Sequence, residues 1–255
     1  MTERLRSALA PIAVLLFLLL IWQLMHRIVG NQALTAPVPT LEHLWRLVGE
    51  ARFLPHLRET SFAFLQSLAI VWVAGVFFGV VLGAHRFAGE VMEPLIVGLY
   101  SIPKVTLYPV ILLLFGLGMH AKVAFGILQG IIPVVLFSMN AVRNVNRSYL
   151  RAASVMQLTP LQRGWFVLMP AALPEIFSGL RIGFSLTVLG TMLGELFASQ
   201  RGLGFLLMSA IELQDTKTIL SIALLITTFA VTANMLLGAV ERRLRRSQAS
   251  NAERR

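Results

Sequence analysis

Residues 151–170 read RAASVMQLTPLQRGWFVLMP, a polar stretch punctuated like a pair of helices and set between long apolar runs. Thr159, Pro160 and Gln162 spell a helix start: a threonine N-cap, a proline at the first helical position where no N–H is missed, and a glutamine three residues after the cap. Upstream, Ser148 is placed to cap a short helix carrying Tyr149, Ala152, Ala153 and Met156 on one stripe, because positions three, four and seven apart share a face. The expectation is two short helices joined by a turn through Gln157, Leu158 and Thr159, a surface suited to docking.

The surroundings of this segment are those of a membrane protein. Of the 255 residues, 56% are hydrophobic and 13% charged, where a soluble domain carries about 25% charged residues. Runs of about 20 residues, enough to cross about 30 Å of hydrocarbon, fall at 9–29, 61–84, 95–117, 121–142, 176–198 and 217–240. The expected fold is an all-α membrane protein of about six transmembrane helices. Its parts are a cytoplasmic N-terminus (1–8), a membrane domain (9–240) containing a loop at 143–175, and a basic tail (241–255). Pro103 and Pro109 interrupt the third span and Lys104 lies near its start, so that span is expected to be broken or re-entrant. Lys104 itself reads as a snorkelling side chain.

The net charge of +10 would suit a nucleic-acid partner, but the basic residues alternate by loop and speak for topology instead. With a cytoplasmic N-terminus, thirteen arginines fall inside: Arg4, Arg6, Arg86, Arg143, Arg147, Arg151, Arg163 and the six of the tail. Seven basic residues fall outside, among them Arg58, Lys122 and Arg201. Both termini are therefore placed in the cytoplasm. The tail, ERRLRRSQASNAERR, reads as a polar, disordered end attracted to anionic lipid. The first apolar run is long for a signal peptide and no small-x-small cleavage site follows it, so it reads as a retained span.

Between the first two spans, Leu41, Leu44, Trp45 and Val48 recur at helical spacing. They mark an amphipathic helix that lies on the membrane surface or packs on the spans. Gly75, Gly79 and Gly83 place a small residue at every fourth position of the second span, a face for close helix packing within the chain or with a second copy.

Several chemistries are excluded. There is no cysteine, hence no disulfide or thiolate metal site. The lysines follow Pro103, Ala121 and Thr216, so none stands in a P-loop, and the five histidines form no pair at metal-ligand spacing. One carboxylate, Glu195, lies inside a span, with Thr191 and Thr187 four and eight residues earlier on the same face. It reads either as a gate or pathway contact or as a hydrogen-bonded anchor near the outer end of its helix. Arg181 is about 21 Å away along that helix and cannot be its partner. Gln129 and Asn140, in the fourth span, pose the same choice.

The docking segment resembles the loop that defines permease subunits of bacterial ABC importers, a Glu-Ala-Ala, then Gly, then Ile-x-Leu-Pro pattern. Ala152, Ala153, Val167 and Pro170 fall in register. Arg151 stands where the family has glutamate, Gln157 where it has glycine, and Val167 and Met169 where it has isoleucine and leucine. LTAPVPT at 34–40, IPKVTLYPVILLLFGLG at 102–118, MPAALPEIFSGLRIG at 169–183 and GELFASQRGLGFLL at 194–207 extend the likeness, to the branch handling nitrate, taurine and alkanesulfonates.

This resemblance implies a type I importer permease in the bacterial plasma membrane, working as a homodimer by alternating access. It implies a cytoplasmic ATPase subunit that holds ATP and Mg²⁺, an extracytoplasmic solute-binding protein, and a small organic or inorganic anion as solute. The permease itself would be neither an enzyme nor a cofactor carrier. Tyr149, Arg151, Ala152, Ala153, Met156, Gln157, Leu158, Thr159, Pro160 and Pro170 would form the ATPase-docking loop. An ion-coupled secondary transporter is the alternative, though only Glu195 would serve its carboxylate pathway and no internal repeat is visible.

Overall fold

The computed structural model describes the backbone of residues 2–31 and 33–253, and the side chains of 13–31, 33–159, 161–197 and 199–245. Three helices form its centre: α6 (Met119–Arg143) lies between α3 (Phe53–Ala84) and α9 (Met169–Ala198). The glycine face of α3 meets α6 of the same chain. A Cβ on Gly79 would stand 2.5 Å from Ser138 Cβ and 2.6 Å from the Val135 carbonyl oxygen, so only glycine permits this approach. From the other side, Gly183 of α9 leaves room for Val134 in the same way. Lipid tails are as apolar as leucine, so such close van der Waals contact is what holds these helices together.

The periphery is apolar and outward-facing. α1 (Thr2–Val29) exposes nearly all of its described side chains and is tied to the next segment by Trp22 Nε1, which donates to the Thr35 carbonyl at 3.0 Å. A helix apolar on every exposed side belongs in hydrocarbon. α2 (Pro37–Gly49) turns Thr40 and Leu47 inward, where the Thr40 carbonyl accepts from Ser221, and leaves Leu41, Trp45 and Val48 exposed. The expected stripe is thus divided, with one face on α11 (Thr216–Glu253) and one free.

Among the described residues, four helices are long and apolar enough to span a membrane: Phe53–Ala84, Met119–Arg143, Leu161–Phe197 and Thr216–Arg245. The expected third span is broken. α4 (Arg86–Ser101) and the run Lys104–Phe115, a 3₁₀ turn followed by α5 (Tyr108–Phe115), meet at 85° around Pro103. The pair nevertheless climbs the whole of α6: Glu93 pairs with Arg143 at one end, Ile96 packs on Ile132 and Val135, and Ile111 reaches Ala121 and Phe125 at the other. Lys104, expected to snorkel, is buried with its ammonium 4.5 Å from the Tyr100 ring centre, a cation–π contact.

α7 (Arg147–Val155) and α8 (Pro160–Arg163) are the two short helices expected after α6, but α8 does not end before the fifth span. A π turn at Gly164–Leu168 joins it to α9. Pro170, just after it, has no amide hydrogen to donate back into the turn. α10 (Leu203–Glu212) follows a glycine turn and packs beside α9 and α11. The tail departs from expectation: α11 continues as helix through Glu253. Its basic residues beyond Arg245, like Arg4 and Arg6, lie outside the residues whose side chains are described.

Candidate functional site

The docking segment forms as a capped helix pair. Asn146, not Ser148, caps α7: its side-chain oxygen accepts from the Ser148 amide at 2.9 Å. Asparagine serves as well as serine at a helix N-cap. α7 ends in paired bonds from the Gln157 amide to the Ser154 carbonyl and from the Leu158 amide to the Ala153 carbonyl, at 3.0 and 3.1 Å. This is the Schellman pattern, and it puts Gln157 in the left-handed region at φ +53°. The turn therefore stays where glycine would place it, and glutamine bears the strain. α8 opens with the expected capping box: the Thr159 amide donates to Gln162 Oε1 at 3.0 Å and the Gln162 amide approaches Thr159 Oγ1 at 3.4 Å.

The expected stripe is rearranged. Ala153 is 1% exposed and faces the protein's own spans, whereas Ala152 faces out. Val155, 84% exposed, joins Tyr149, Ala152 and Met156 in an outward apolar stripe, with Leu161 exposed beyond the turn. Arg151 is exposed and carries no ion pair among the described residues. Pro170 is exposed at the start of α9.

At the opposite end of the bundle, Glu195 is fully buried. Its carboxylate accepts from Thr60 Oγ1, which lies 2.9 and 2.7 Å from its two oxygens, and from the Gly204 amide at 2.9 Å. Thr60 in turn accepts from the Leu203 amide at 2.7 Å. Lys122, 1% exposed, donates to Glu59 at 3.1 Å and to the Arg201 carbonyl at 2.7 Å, and lies 3.7 Å from Glu195. The loop before α10 closes tightly over this node. A Cβ on Gly202, at φ +126°, would stand 2.3 Å from the Glu195 carboxyl. Lys122 was expected in an external loop, and only the approach of α9 and this loop buries it.

Thr187 and Thr191 share the Glu195 face but are fully buried, their hydroxyls turned back on the Gly183 and Thr187 carbonyls at 2.7 and 2.9 Å. Gln129 is buried on α6 against Gly190. Asn140 is elsewhere, on a cavity near the docking segment. The structure thus gathers Glu195, Thr191, Thr187 and Gln129 along the core and leaves Asn140 apart.

A second polar cluster was missed by sequence reasoning. Arg181, deep in α9, bonds Asn234 and reaches Glu241 at 3.3 Å, and Glu241 also accepts from Ser178 at 2.8 Å and Arg245 at 3.1 Å. A cavity of about 420 Å³ opens beside it, lined also by Tyr100 and Ser185. The signal available was Arg181 and Asn234 within apolar runs, on helices whose pairing sequence does not show.

No group of three or more histidine or acidic side chains suited to a metal occurs among the described residues. The docking segment presents an exposed apolar knob on a loop capped at both ends, continuous through α9 with the buried node at the far end.

The chain is 28% identical to the taurine transport system permease protein of Escherichia coli over 246 residues, 94% of this chain and 90% of that one. It is 29% identical to the formylaminopyrimidine transport permease protein of Halalkalibacterium halodurans, covering 80% of this chain and 81% of that one. The fold matches a chain of the inward-facing MetNI methionine ABC transporter with a TM-score of 0.58 at 18% identity, over 73% of this chain and 96% of that one. The relatives are transporter permease subunits rather than enzymes. The family profile of binding-protein-dependent transport system inner membrane components matches residues 72–246, and the chain belongs to that family.

Proposed function

We propose that this chain is the membrane-spanning half of an ATP-driven importer, two copies pairing around the solute path. The observation that carries this reading is the outward apolar stripe of Tyr149, Ala152, Val155 and Met156 on a helix capped at both ends. An exposed apolar surface of this kind on a rigid loop is what a groove on a partner takes up. A cytoplasmic ATPase subunit, carrying ATP and Mg²⁺, seats on α7, and closure of two such subunits draws the paired loops together. The continuous helix from α8 through α9 carries that displacement into the membrane, and the spans alternate between inward-open and outward-open states. Both termini lie in the cytoplasm, and a solute-binding protein delivers the solute outside. Arg151 meets an acidic or polar group on the ATPase.

The solute is a small anion such as a sulfonate, taurine or nitrate, supported by the taurine-transporting relative. Glu195, with Thr60 and Lys122, works as the outer latch of the bundle rather than as a solute contact, since solvent does not reach it. Affinity purification of the tagged chain from its native membrane tests the docking reading. A stoichiometric ATPase that is lost with Ala152→Asp and Met156→Asp, and a purified complex whose ATPase activity rises with loaded binding protein, are expected. A chain that purifies with no ATPase, and whose uptake collapses with a protonophore at constant ATP, would instead make it an ion-coupled carrier.

A further inference from the structure

Behind the docking loop lies a cavity of about 710 Å³, walled by the ends of α3 and α6, by α4, and by α7 and α8. Four arginines line it, Arg86, Arg143, Arg147 and Arg163, against two carboxylates, Glu90 and Glu93. Two of the arginines are neutralised: Arg86 bonds Glu90 at 2.9 Å and Arg143 bonds Glu93 at 2.5 Å. The other two are not. Neither Arg147 nor Arg163 has an ion-pair partner among the described residues, and Arg163 Nε is sealed from solvent with no hydrogen-bond acceptor. A buried guanidinium N–H without an acceptor is unfavourable, and the cavity carries an uncompensated charge of two. Asn140 and Asn144 add amide groups to the same wall.

We propose that this cavity binds a phosphate-class anion, held in the forks of Arg147 and Arg163. Guanidinium presents paired donors that match phosphate oxygens, and two unpaired guanidiniums suit one phosphate monoanion or dianion. Between the lining residues Arg163 and Leu168 the chain exposes Trp165 and Phe166, as aromatic rings are exposed at the headgroup level of a bilayer. The phosphate can therefore come from an anionic phospholipid headgroup or from a soluble phosphate. Arg147 opens α7 and Arg163 closes α8, so a phosphate bridging them clamps both ends of the loop. Its occupancy sets how firmly α7 is held against α4 and α6. The binding site stands whether or not α7 seats an ATPase.

The test is the thermal midpoint of the purified full chain in a neutral detergent, titrated with short-chain phosphatidylglycerol, short-chain phosphatidylcholine or inorganic phosphate. Phosphatidylglycerol is expected to raise the midpoint by several degrees, phosphatidylcholine not, and the gain to shrink as salt is added. A gain with phosphatidylglycerol alone assigns the source to lipid; a gain with inorganic phosphate as well assigns it to a soluble anion. Arg147→Gln and Arg163→Gln should each cut the response, while Arg58→Gln, remote on α3, leaves it intact. Arg147 is exposed, so its variant folds even where that of Arg163 does not. No gain with either phosphate source, or an undiminished gain in Arg147→Gln, overturns the proposal.

Discussion

Lys122 Nζ lies 3.7 Å from Glu195 Oε1, and neither side chain is reached by solvent. The pair ties α6 to α9, while Thr60 of α3 and the Gly204 amide of α10 complete the carboxylate's coordination. Four helices therefore converge on one buried charge. Removing one partner of such a pair leaves the other uncompensated, at about 3–5 kcal/mol, whereas replacing both with apolar groups is often neutral. Lys122→Met, which takes the cation from both Glu195 and the partly exposed Glu59, is expected to lower the thermal midpoint of the detergent-solubilised protein sharply, and Lys122→Met with Glu195→Gln, which removes the buried charge but keeps an oxygen for Thr60 and the Gly204 amide, to recover part of the loss. A double variant as unstable as the sum of the singles would show that the two residues act separately.

Gln157 makes the opposite kind of prediction, a gain. At φ +53° an L-residue with a Cβ is strained by about 1 kcal/mol relative to glycine. Gln157→Gly should slow amide hydrogen exchange at the C-terminal end of α7, while Gln157→Val, branched at Cβ, should hasten it. Equal exchange in the three proteins would mean that the turn bears no strain.

The same position shows how far sequence reasoning reaches. The capping box at Thr159 and the break at Pro103 are local chemistry and could be read directly, because proline and a threonine–glutamine pair act on their immediate neighbours. The partner of the Gly75–Gly79–Gly83 face could not, since small residues state that a helix comes close without stating which one. Lys122 follows a loop and looks external until Gly194 and the loop around Gly202 fold over it. The tail looked disordered by charge alone. Yet Glu241 bonds Ser178 and Arg181 of α9, and Arg245 also reaches Ser178, tertiary contacts that hold the helix past the end of its apolar run.

Ala152 and Ala153 are neighbours with different duties, and substitution should separate them. Ala153 is 1% exposed, so Ala153→Leu forces a larger side chain into packed surroundings, a loss of about 1–3 kcal/mol. Ala152→Leu meets no such wall. The thermal midpoint should fall for Ala153→Leu and hold for Ala152→Leu, while binding of the ATPase subunit, measured by co-purification, should weaken for Ala152→Leu. A stable Ala153→Leu protein would place that alanine on the docking face after all.

Gly79 tests the central contact. Alanine there would bring its Cβ to 2.5 Å from Ser138 Cβ and 2.6 Å from a backbone oxygen, and the backbone cannot yield as a flexible side chain would. Gly79→Ala should cost about 1–3 kcal/mol, read as a lower thermal midpoint. Gly98, with open space around it, should accept alanine without loss and serves as the control.

Asp215, in the turn before α11, sets a pH dependence. Burial raises its pKa, but hydrogen bonds from Thr218 Oγ1 and N, at 2.5 and 3.2 Å, with lesser help from His43 and the Lys217 amide, outweigh this and hold it below the ordinary value. The folded protein therefore favours the carboxylate more than the unfolded chain does. The stabilisation is fully present above the unfolded value, near 3.8, and is lost as pH falls through the lower folded value. Wild type should lose thermal stability more steeply on acidification than Asp215→Asn, which lacks the titrating group. Thr218→Ala, with one of the two Thr218 donors removed, should fall between them; a Thr218→Ala profile identical to wild type would mean that the hydroxyl does not hold the carboxylate in its charged form.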